Sequence, residues 1–272
     1  GKPWYVMEHS TSAVQWKPLN TRKLTLTDAG IDYVAAARRI LEEVENAERR
    51  AAGEYQEPKG ELVLSAPTMF GRQHVLPVVT DFLARYPQIR VRLLLSDRNA
   101  DLVGDHIDLA VRIGTLPDSG MVATRLGEMR IVTCAHPAWL EKHGIPERPR
   151  ELAALPIIRI ESPMPYRGWR FNAEEAEDRL VALQPVLSLP TPESAADAAR
   201  LGAGVARLLH YQAIDGLARG ELKLLLQAME PEPAPMHLLY TSRDLAPLKL
   251  RKFIDFAAPA LRRALLRIAA AV

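Results

Sequence analysis

The chain has one cysteine, Cys134, which excludes an intrachain disulfide framework and leaves no cysteine set for a zinc site. No apolar run approaches the ~18 residues that a membrane-spanning helix needs. The first residues, Gly1-Lys-Pro-Trp-Tyr-Val-Met-Glu8, lack an apolar segment followed by a small-residue cleavage site, so a cytoplasmic protein is expected. Neither sign of charge is in excess. The 35 Lys and Arg against 33 Asp and Glu leave a formal net charge of +2, which neither demands nor excludes a polyanionic partner. The catalytic signatures are missing too: there is no G-x-S-x-G elbow, no H-E-x-x-H, no P-loop and no complete G-x-G-x-x-G. Gly202-Ala-Gly204 lacks the third glycine, the seven histidines show no metal-ligand spacing, and Glu174-Glu175 reads as part of a solvated helix face. No enzyme activity, cofactor or metal is expected.

What the chain does have is the make-up of a soluble globular protein, 48% hydrophobic and 25% charged over 272 residues, enough for two or three compact units. The most regular stretch is Leu24 to Ala52. Thr27 is an N-cap, with Asp28 in the first turn where the helix dipole favours negative charge. Beyond it, Tyr33, Ala37, Ile40, Val44, Ala47 and Ala51 recur at alternating steps of four and three, the spacing of a helix that pairs along a seam. Val34 and Leu41 widen that stripe, and charged residues fill the rest. The competing reading is an ordinary surface helix packed on its own domain. Gly53 and Pro58 end the pattern.

From Glu61 onward short apolar strands alternate with amphipathic helices, the pattern of an α/β domain. Strands are predicted at Glu61–Ala66, Arg90–Leu95, Asp108–Ile113, Arg130–Ala135, Ile157–Ile160, Val181–Leu187, Gly204–Leu208 and Met236–Tyr240. The helix after the first strand is predicted to bury Val75, Leu76, Val79, Phe82, Leu83 and Tyr86, and a short helix is predicted near Asp101–Val103. The last helix carries Leu250, Phe253, Ile254, Ala257 and Leu261 on one face.

Asn20-Thr-Arg-Lys-Leu-Thr-Leu-Thr-Asp-Ala-Gly30 resembles the wing and linker-helix start of LysR-type transcriptional regulators. Leu62-Val-Leu-Ser-Ala-Pro67, Phe82-Leu-Ala-Arg-Tyr-Pro87, Ile107 to Ser119, Ile131 to Leu140, Gly144-Ile-Pro146 and Leu201-Gly-Ala-Gly-Val205 resemble successive landmarks of that family's effector domain. The resemblance implies a winged helix-turn-helix, then a dimerising linker helix, then a two-subdomain domain like type 2 periplasmic binding proteins. The expected divisions are a partial or divergent reading head at 1–26 with a wing remnant near 20–26, a linker helix at 27–52 and an effector domain at 60–272. Subdomain I would span about 60–127 and 236–272, and subdomain II about 128–235, with the chain crossing twice between them. Pro18 interrupts any recognition helix in residues 1–19, so the reading head is expected to be truncated, divergent or replaced. Arg22 and Lys23 would touch DNA phosphates.

In open α/β sheets ligands collect beyond the carboxyl ends of strands, where helix N-termini offer unpaired N–H groups. Ser65-Ala-Pro67-Thr68, with Phe70 beyond, Gly114-Thr115 and Thr191-Pro-Glu-Ser194 occupy such ends. The resemblance places these residues, together with Thr133, around an inducer pocket. Simple capping is the competing role for each Thr. Arg112 is expected to pair with Asp108 or Asp118 rather than to meet an anionic effector, Cys134 to be an inert buried thiol, and His136 to be a surface cap. The resulting expectation is a regulator that senses a small anionic metabolite, a carboxylate, and acts on DNA as a homodimer or homotetramer away from the membrane. The rival is a solute-binding protein of a transport system with the same fold.

Overall fold

The structure is a computed structural model. It describes Thr27, Ala29, Gly30, Tyr33, Val34, Ala36, Ala37, Ile40, Leu41 and Val44, and residues 57–98, 102, 104–116, 121–161, 168–241 and 246–271. The chain divides into two units, Gly1–Gln56 and Glu57–Val272. In the first, the Thr27 hydroxyl accepts the Gly30 backbone N–H at 3.1 Å, the cap its position predicts. The described residues from 29 to 44 are helical, and this helix is α1. Its apolar stripe faces outward: Tyr33 and Ile40 are each 64% exposed and Val44 49%. Arg22, Lys23, Ala47 and the reading head expected in residues 1–26 lie outside the described residues.

In the second unit the strands sort into two five-stranded sheets. The first has the order β2 (Ile89–Leu95), β1 (Gly60–Ala66), β3 (Leu109–Ile113), β12 (Ala234–Tyr240) and β4 (Val122–Met129). Strand β1 pairs in parallel with β2 and β3, whereas β12 runs antiparallel to β3 and β4. Period-two alternation puts Leu62, Leu64 and Ala66 on one face of β1, all at most 1% exposed. They pack under α2 (Thr68–Phe70), a π-helical stretch Gly71–Val75, α3 (Leu76–Arg85) and the 23-residue α8 (Leu248–Ala270). Phe82 and Phe253 meet edge to face at 5.0 Å in this core.

Two details correct the expectations. Leu76 is 46% exposed and Val78 is buried instead, because the π-helical stretch turns more residues per revolution and rotates the helix face. Strand β4 was not anticipated, since Thr124, Arg125 and Glu128 break its apolar pattern; it is an edge strand, so one side can stay polar.

The second sheet has the order β11 (Lys223–Leu225), β5 (Ile131–Ala135), β10 (Val205–Leu209), β6 (Ile157–Ile160) and β9 (Pro185–Leu189). The strand predicted at Val181–Leu187 is in fact two, with Val181 in β8 (Leu180–Val181) beside β7 (Trp169–Arg170), and Pro185 opening β9 at the sheet edge, where a missing N–H is tolerated. One face packs on α4 (Pro137–His143), Leu152, Trp169 and Phe171. The other packs on α6 (Pro192–Arg200) and α7 (His210–Ala218) through small residues, Ala195, Ala196, Ala199 and Ala213. Gly204, at φ +150°, enters β10 so close to β6 that a Cβ would stand 2.4 Å from the Pro156 carbonyl oxygen. Among the described residues no helix is long and apolar enough to cross a membrane.

Candidate functional site

The parallel strands of the first sheet end at Ala66, Leu95 and Ile113, and those of the second at Ile160, Leu189 and Leu209. These two edges face each other. Tyr211, just past the end of β10, is 3% exposed and sits in the core of the first sheet, its ring edge-on to Phe70 at 5.4 Å. The Gln212 side-chain amide donates to the Tyr211 oxygen at 3.1 Å. Burial pushes the Tyr211 pKa upward, so the phenol stays neutral.

The chain crosses between the sheets at Arg130 and again after Met229. The two crossings are tied together: Arg130 donates through Nε (2.9 Å) and Nη2 (2.7 Å) to the two carboxylate oxygens of Glu230. The His210 backbone N–H donates to the Arg130 carbonyl at 2.9 Å. The His210 imidazole is 1% exposed, and burial first, then the Arg130 charge, lower its pKa, while Glu230 opposes. Nothing in the sequence marked this pair, because 100 residues separate its members.

On the first edge, the Thr68 backbone N–H donates to Asp97 Oδ1 at 3.1 Å, so a carboxylate already sits at this helix start. Gly114, at φ +110°, donates its N–H to the Pro235 carbonyl at 2.8 Å and leaves Thr115 exposed beside it. On the second edge, Thr191 caps α6 by accepting the Ser194 N–H at 3.2 Å, which realises the competing role considered for it. Glu193 follows in the first turn. Both of its carboxylate oxygens are buried and have no hydrogen-bond partner among the described residues.

The expected set therefore splits. Pro67, Thr68, Gly114, Thr115 and Thr191 lie at the facing edges with surface to offer. Ser65 and Phe70 are buried in the first subdomain at 3% and 0% exposure. Thr133 is also 3% exposed and lies in mid-strand, opposite Arg207 on β10 and Leu225 on β11. These three present no surface to a ligand, because alternation along β1 and β5 and the packing of Tyr211 on Phe70 cover them. Asp97, Glu193 and Tyr211 were missed: two are ordinary surface types in the sequence and the third is a lone aromatic after a strand. Cys134 is fully buried, and desolvation pushes its thiol up to about 12, which makes it inert. His136 caps α4, its Nδ1 accepting the Ala138 N–H at 3.1 Å. Arg112 is half-buried opposite His237, and desolvation lowers its pKa. Glu175 is not merely solvated, since it pairs with Arg148 and Arg150.

Residues 55–262 match the family model described as the LysR substrate binding domain. The chain is 30% identical over 244 residues to the HTH-type transcriptional activator AaeR of Escherichia coli (strain K12), covering 89% of this chain and 79% of that protein. It is 30% identical over 237 residues to the HTH-type transcriptional regulator CrgA of Neisseria meningitidis serogroup C (strain 8013), covering 87% and 79%. Among solved structures it resembles that of CrgA, a LysR-type transcriptional regulator from Neisseria meningitidis (TM-score 0.67, 29% identity, 89% of this chain and 82% of that one). It also resembles the full-length Vibrio cholerae virulence activator AphB (TM-score 0.67, 25% identity, 89% and 82%). The match runs through both sheets, and the matched relatives regulate transcription rather than catalyse reactions. The chain belongs to the LysR family of transcriptional regulators and carries that family's effector-binding domain.

Proposed function

We propose that this regulator senses a small carboxylate between the two facing sheet edges, with Pro67, Thr68, Gly114, Thr115 and Thr191 around it. It would act in the cytoplasm on DNA, as a homodimer or homotetramer paired through α1. The observation that carries the ligand class is the Asp97 carboxylate on the Thr68 amide: this helix start holds an anion of the chain's own, which an effector carboxylate can replace. Each hydrogen bond to a charged group is worth about 1.5–3 kcal/mol. A ligand touching both edges favours one arrangement of the subdomains over another, and that difference in affinity is what couples binding to the DNA-bound assembly.

The test is a thermal-shift screen of small carboxylates on the wild type, Thr68→Val, Thr191→Val and Asp97→Asn. Removing the internal competitor by Asp97→Asn is expected to tighten carboxylate binding, and Thr191→Val to weaken it. A hit that stabilises all four proteins equally would place its site elsewhere.

A further inference from the structure

Among the described residues Glu193, at the facing edges, has two buried acceptor oxygens with nothing to accept. Its two oxygens are shielded from solvent and make no hydrogen bond among the described residues, while the cap of α6 is supplied by Thr191 instead. The Glu193 charge acts on the hydroxyl of Tyr211, which is itself buried in the core of the first sheet. The Asp97 charge acts on the same hydroxyl from the opposite edge. The first turn of a nine-residue helix favours a negative charge at Glu193. Buried polar atoms without partners cost stability, and those in folded proteins nearly always have one. Among the described residues none donates to either oxygen, which leaves both acceptors open to a donor on a ligand.

We propose that Glu193 receives a cationic N–H-donating group of the effector, an ammonium or a guanidinium. This rests on the reading of the facing edges as the effector site and deepens it. With a carboxylate taken at the Thr68 amide and a cation taken at Glu193, the effector is an amino carboxylate rather than a simple acid.

Glu193→Gln keeps the shape and removes the charge. Calorimetric titration of the wild type and this variant with L-lysine, L-arginine and agmatine is the test, with succinate and benzoate as amine-free controls. The expected result is binding of L-lysine or L-arginine to the wild type, at least about ten-fold weaker in Glu193→Gln, the size expected for a lost charged hydrogen bond. The two amino acids separate an ammonium from a guanidinium, and agmatine asks whether the cation suffices without a carboxylate. Binding of the controls alone, or amine binding indifferent to Glu193→Gln, overturns the proposal while leaving the carboxylate site standing. Binding of none of the five overturns it as well, and the carboxylate site is then judged by the separate screen above. A second readout needs no ligand: the thermal midpoint of the free chain is expected to stay level or rise in Glu193→Gln. A fall would mean that Glu193 stabilises the fold, and would equally overturn the proposal.

Discussion

Two helices of this chain carry the same kind of apolar stripe and dispose of it in opposite ways. On α8, Phe253, Ala257 and Leu261 are at most 1% exposed, buried against the first sheet. On α1, Tyr33, Ile40 and Val44 are between 49% and 64% exposed. Periodicity is therefore a statement about which face seeks a partner, not about where the partner is. The α8 stripe finds its own sheet. That of α1 is left exposed, and under the proposed pairing it would meet a second copy of the helix, whose stripe repeats every three and four residues in the same way.

The sharpest way to break this contrast is to truncate the buried stripe. Phe253→Ala is expected to cost about 3–5 kcal/mol in urea unfolding, since the ring fills a core position against Phe82. A loss below about 1 kcal/mol would mean that α8 is not the anchor its burial implies. Next in size is the tie between the two crossings. Arg130→Ala is expected to cost about 1–2 kcal/mol, less than a fully buried pair because the Arg130 side chain is 35% exposed. It also leaves Glu230 unpaired beside a buried His210.

Acid is expected to act on the second unit in a definite direction. Burial lowers the pKa values of His74, His210 and His237 from 6.5 in the folded chain, so the unfolded chain takes up protons first. Stability is then complete above the unfolded value and declines as pH falls through about 6.5 toward the folded values. Urea midpoints measured from pH 8 to 5 are expected to drop on the acid side, and less steeply in His210→Asn. A midpoint that rises on acidification would contradict the burial. A smaller effect still is the α6 cap: Thr191→Ala is expected to lose about 1 kcal/mol.

The least effect on stability is expected where the contrast is most informative. Ile40→Glu with Val44→Glu on α1 is expected to change the unfolding of the second unit by less than about 0.5 kcal/mol, because both side chains are exposed. The same double variant is expected to lower the mass measured by light scattering to that of a monomer. A wild-type chain already monomeric at micromolar concentration would remove the pairing role from α1.

The strands were legible where apolar alternation was strong. β1, β2, β3, β5, β6, β10 and β12 fall within two residues of their predicted ends, because a half-buried strand must alternate. β4 and β11 were not legible: one is an edge strand rich in polar residues, and the other is three residues long. The site was legible only as strand ends. Thr68 and Thr191 could be marked as helix starts from local chemistry, but which carboxylate or hydroxyl would occupy them depended on Asp97 and Ser194, one of them 29 residues away.

By itself the amino-acid sequence determined the kind of element at most positions, the capping of α1 by Thr27, the period of that helix's apolar stripe and the order of family landmarks. These are local properties, set by side-chain period and by hydrogen bonds spanning three or four residues. Only the tertiary structure decided that Tyr211 past the second sheet is buried in the core of the first, that Arg130 closes on Glu230, and that the Glu193 oxygens are buried without a partner among the described residues. Burial and pairing of polar groups depend on which distant surfaces meet, and no pattern along the chain encodes that directly.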